Sequence, residues 1–129
     1  MKALLSIATT DGRVETLELH GPLTKVIVPV IDHLGERTRA TYDHIARIDR
    51  ERARGIHELP AAELLHLLTA AHALLADPPA ALRRTRRIPD GPHPHAERLA
   101  VVLVWLGERR SATCVHYDLW CTGGGQPTI

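Results

Sequence analysis

Apolar and polar positions alternate twice within the first twenty residues, the two-residue period of strands buried on one side. Ala3, Leu5 and Ile7 share one face of a strand over residues 3–9, and Leu17 and Leu19 share one face of a second over residues 14–20. Asp11-Gly12 lies between them and signals a hairpin. Parity decides its loop length. A two-residue loop would pair odd with even positions and put the two apolar sets on opposite faces. A three-residue loop, Thr10-Asp11-Gly12, pairs Leu5 with Leu17 and Ala3 with Leu19, and puts Gly12 where the backbone turns left-handed. Ser6, Thr16, Glu18 and His20 then face solvent.

Helical spacing follows. Ile27, Val30, Ile31 and Leu34 sit at i, i+3, i+4 and i+7, and Gly21-Pro22 makes a helix start, although the β-branched run around Pro29 also reads as a strand. A helix kinked near Pro29 is the expectation. A second helix is predicted over residues 37–53, with Tyr42, Ile45, Ala46 and Asp49 down one side and Gly55 beyond its end. A third runs from Pro60 to Ala76 on a stripe of Leu64, Leu67, Leu68, Ala71, Leu74 and Leu75, and Asp77-Pro78-Pro79 stops it. Asp77 caps a short helix to about Arg87. Residues 88–95, with three prolines, read as a loop.

Residues 99–106 are apolar on both faces and read as a strand covered on both sides, turning through residues 107–110 into a last strand over residues 111–121. On that last strand Val115, Tyr117 and Leu119 share one face, and Cys114, His116, Asp118 and Trp120 the other. The order implies a single α+β domain over residues 1–129. It has a four-stranded, mostly antiparallel sheet from two terminal β-hairpins, three or four central helices on one face, and a flexible tail over residues 122–129. A doubly apolar strand not covered by helices calls for a second subunit.

The 129 residues fit one core. Sixteen Lys+Arg against fifteen Asp+Glu leave a net charge of +1, which excludes a dominant basic arm or acidic tail. With no Phe, two Trp and two Tyr, the core must be aliphatic. Fourteen Arg against two Lys, and no Asn, match a GC-rich genome and weaken any phosphate-binding reading of the arginines. Nine histidines would carry the chain from +1 to +10 if all were protonated, which motivates a pH-responsive variant of any association. The N-terminal stretch Met1–Ile7 is too short an apolar run for a signal peptide and nothing approaches a membrane span, so a cytoplasmic protein is expected.

Three groups of residues could carry chemistry. Cys114, His116 and Asp118 lie on one strand face, where a thiol, an imidazole and an orienting carboxylate could form a nucleophilic set. Against this, i, i+2 neighbours stand about 6.6 Å apart, more than the contact catalysis needs. His93, His95 and Cys121 would meet if Leu106 paired with Ser111, and their atoms suit zinc, although His-Pro-His is not a zinc spacing. The same arithmetic keeps Cys114 and Cys121 from bonding to each other. Arg83, Arg84, Arg86 and Arg87 form the densest basic patch, but no aromatic residue lies beside it to stack bases. The adjacent pairs Asp32-His33 and Asp43-His44 point apart on a helix, as do His66 and His72. Gly123-Gly124-Gly125 lacks the strand-to-helix setting of a phosphate loop.

The leading expectation is therefore a non-catalytic interaction or accessory protein that self-associates or docks on a protein partner through its sheet, without nucleic acid or membrane. The alternatives are a small enzyme using Cys114, His116 and Asp118 or a bound zinc, and nucleic-acid binding through the arginines.

Overall fold

The computed structural model describes residues 2–9, 11–51, 56–81, 94–109 and 111–120. β1 (Lys2–Ala8) and β2 (Val14–Leu19) form the expected hairpin, with Leu5 opposite Leu17 and Ala3 opposite Leu19. Thr9 N–H donates to the Arg13 carbonyl at 2.7 Å and Gly12 N–H to the Thr9 carbonyl at 3.1 Å. Gly12 takes φ +87°, a conformation that favours glycine, so the loop length that parity demanded is built by the residue able to build it.

α1 (Leu23–Ile27) passes into a 3-10 helix (Val28–His33) at Pro29. Proline has no N–H to give an α-helical bond, and the tighter turn accommodates it while Ile27 and Val30 stay fully buried. α2 (Glu36–Glu51) buries Thr38, Tyr42, Ile45 and Ile48. α3 (Ala61–Ala76) buries Leu64, Leu67, Leu68, Ala71 and Leu75, and Ala80–Ala81 are again helical.

The central correction concerns residues 99–106. They belong to a helix, α4 (His95–Gly107), not to a strand. Ala96, Leu99, Val102 and Leu106 make one buried stripe, while Val101 and Val104 are 59% and 63% exposed. A continuous apolar run has no period of its own, and the helical stripe hidden within it is what the core selects. The second terminal hairpin, the Leu106–Ser111 pairing and the doubly covered strand all go with it. The argument for a second subunit over that strand therefore loses its premise.

The fourth strand comes from elsewhere. β3 (Ile56–Pro60) and β4 (Cys114–Trp120) pair antiparallel, and β4 pairs antiparallel with β1, giving the order β2-β1-β4-β3. The α+β class and the four-stranded antiparallel sheet thus stand. Ala3, Leu5, Ile7, Leu59, Val115 and Tyr117 point into the core beneath the helices. The opposite face carries Leu4, Ser6, Cys114, His116 and Asp118, which are half-buried, and Thr16, Glu18 and Glu58, which are exposed. Among the described residues no helix is long and apolar enough to cross a membrane.

Candidate functional site

Two polar constellations are built on β4, one on each side of the sheet. On the helix side Tyr117 is fully buried, and a buried hydroxyl needs partners. It donates to Asp49 Oδ1 of α2 at 2.6 Å and accepts the Leu23 N–H at 3.1 Å. The other Asp49 oxygen accepts the Thr24 N–H at 3.3 Å and the Thr24 hydroxyl at 2.5 Å. Pro22 precedes α1 and offers no side-chain oxygen, so Asp49 supplies the cap that satisfies α1's first turn. Desolvation, and then the hydrogen bond and charge of Asp49, push the Tyr117 hydroxyl well above the usual phenol range. The set ties sheet, α1 and α2 together. Nothing in the sequence order shows that residues 23, 49 and 117 meet.

On the open face β3 sets Glu58 directly opposite His116, with Cys114 two residues along β4 on the same side. The ligand atoms of Glu58, Cys114 and His116 all lie within 4.8 Å of one another. His116 Nε2 stands 4.0 Å from Glu58 Oε2, too far for a direct hydrogen bond. Partial burial, then the neighbouring Glu58 charge and its hydrogen bond, push the Cys114 thiol upward. Such a setting disfavours the thiolate that a nucleophilic cysteine requires. Asp118 shares this face two residues beyond His116 but is not part of the three-residue group.

The metal set expected at His93, His95 and Cys121 depended on a strand over residues 99–106. With α4 there instead, the pairing argument for that convergence loses its premise. His95 sits in the first turn of α4, and His93 and Cys121 lie outside the described residues. Arg83, Arg84, Arg86 and Arg87 and the tail over residues 122–129 also lie outside them.

A cleft of about 440 Å³ opens where β1, the start of α3 and the end of α4 meet. Ile7, Ala61, Leu65, Leu106 and Ala112 line it, with Arg109 at its polar edge. That guanidinium already bonds Glu15 at 2.5 Å and the Trp105 carbonyl at 2.8 Å, and lies 4.6 Å above the Trp105 ring. It works as a clamp between α4 and β2 more than as a receptor for a ligand. Comparisons with known protein families, with curated proteins and with solved structures return no match.

Proposed function

We propose that this protein is a non-catalytic interaction module that self-associates through β2, an edge strand of the described sheet. The observation that carries this reading is the strand order, in which β2, among the described residues, has a neighbour on one side only. An edge strand offers a row of backbone donors and acceptors to another strand unless its sequence blocks it. β2 has neither Pro nor Lys, whereas the other edge, β3, is shorter and ends in Pro60. Leu17 and Leu19, at the rim of the core, are only half-buried. Centring an antiparallel pair on Leu17 brings it against its copy and extends the apolar layer from one protomer into the next. Glu15 lies in that layer, and its pairing with Arg109 offsets its charge.

Directed crosslinking tests this register. With Cys114 and Cys121 replaced by Ser, Leu17→Cys should form a disulfide-linked dimer under mild oxidation, because directly opposed residues bring their β-carbons within bonding range. Val28→Cys, exposed on the 3-10 helix, should not. Equal crosslinking at both positions, or none at 17, contradicts the reading.

A further inference from the structure

Glu58, Cys114 and His116 bring three different metal-ligating atoms to one spot on the sheet. Their placement follows from strand geometry. Alternation puts Cys114 and His116 on the same side of β4, and antiparallel register sets Glu58 across from His116. Sheet hydrogen bonds hold both backbones, so the site is carried by rigid elements and not by loops.

We propose that these three residues form a binding site for a borderline divalent transition metal, with zinc as the ion whose chemistry fits best. Thiolate, imidazole and carboxylate together form a mixed donor set of the kind zinc accepts, and hard oxygen-seeking ions such as magnesium and calcium do not favour it. The spacing is close to what is needed. Tetrahedral coordination at roughly 2.0–2.3 Å per bond places neighbouring ligand atoms about 3.3–3.7 Å apart. His116 Nε2 and Glu58 Oε2, now 4.0 Å apart, need close by only a fraction of an ångström. Glu58's side chain is 70% exposed and His116's 38%, so both can rotate to do so without disturbing the core.

A cation between them also neutralises two ligands of like charge, the carboxylate and the thiolate. Three protein ligands leave a fourth position on the solvent side for water or a donor from a partner. The site needs no second copy of the chain, since β3 and β2 are opposite edges of the sheet.

Cobalt(II) is the probe, because a Co–thiolate bond gives a near-ultraviolet charge-transfer band. Titrating reduced, metal-free wild type should give that band at one Co²⁺ per chain, and zinc should abolish it by displacement. Cys114→Ser should lose the band. Glu58→Gln and His116→Gln should each weaken binding by about tenfold or more. All three positions lie off the core, and circular dichroism of each variant checks that the fold is kept. Cys121→Ser and a His93→Ala/His95→Ala double variant should bind like wild type. The proposal is overturned if no band forms. Unchanged affinity in Glu58→Gln and His116→Gln would also overturn it, because only a lone thiol would then be binding. So would loss of the band in Cys121→Ser.

Discussion

Tyr117, at the middle of the sheet, donates its hydroxyl hydrogen at 2.6 Å to Asp49, 68 residues earlier on α2. The same carboxylate caps α1 through Thr24, so one part-buried pair joins three separate elements. Removing the phenol oxygen leaves a carboxylate oxygen and the Leu23 N–H without their partner. Tyr117→Phe should therefore cost about 1–3 kcal/mol of unfolding free energy in denaturant titrations. Asp49→Ala in the Tyr117→Phe background should cost less than in wild type, because the two residues act as one unit. Additive losses would show that the pair is incidental.

The same burial sets a pH dependence. Tyr117 in the folded chain holds its proton far more tightly than the ordinary phenol value of 10.0. A group with a raised folded-state pKa gives its full stabilisation below its unfolded value and loses it as pH climbs above that value. Stability should accordingly be flat with respect to this group up to about pH 10 and fall beyond it. In Tyr117→Phe that alkaline decline should be shallower, with Tyr42, also shifted upward mainly by burial, contributing what remains. Identical alkaline slopes for the two proteins would contradict the assignment.

The helical placement of residues 99–106 sets two adjacent valines in opposite environments. In α4, Val101 is 59% exposed and Val102 is 2% exposed. Val101→Asp should change stability by no more than about 0.5 kcal/mol, as surface substitutions usually do. Val102→Asp should cost several kilocalories per mole, on the order of 3 or more, because it buries an unpaired charge. A strand apolar on both sides would be damaged comparably by both changes. Thermal melts of the two variants distinguish the cases.

These particulars also show where the sequence was readable. The first hairpin was, down to its register, because a period of two combined with a left-handed glycine leaves one loop length. α2 and α3 were readable from their apolar stripes and, for α3, the prolines at its ends. α4 was misread because Val101, Val104 and Trp105 fill out a run in which the stripe Ala96, Leu99, Val102 and Leu106 is hard to distinguish. Pro94 and Glu97 at its start were the available helix signals. β3 was missed because it is only five residues long, Ile56–Pro60, and its strand conformation comes from pairing with distant β4. That omission hid Glu58. Cys114 and His116 were correctly placed on one face, but the residue that meets them comes across the sheet, where no sequence spacing leads.

Self-association turns on β2, and one variant isolates it. The Thr9–Arg13 hydrogen bond sets the alternation along the hairpin, so Glu15, Leu17 and Leu19 bond inward to β1, and the Thr16 N–H points out to the edge. Thr16→Pro therefore removes an outward donor and spares the ladder to β1, a substitution that edge strands tolerate. The deciding measurement is sedimentation equilibrium of untagged wild type and Thr16→Pro over a range of concentrations. Wild type should be a dimer at twice 14.2 kDa, and Thr16→Pro a folded monomer. A wild type that stays at 14.2 kDa at every concentration, or a Thr16→Pro variant that dimerises equally well, contradicts it.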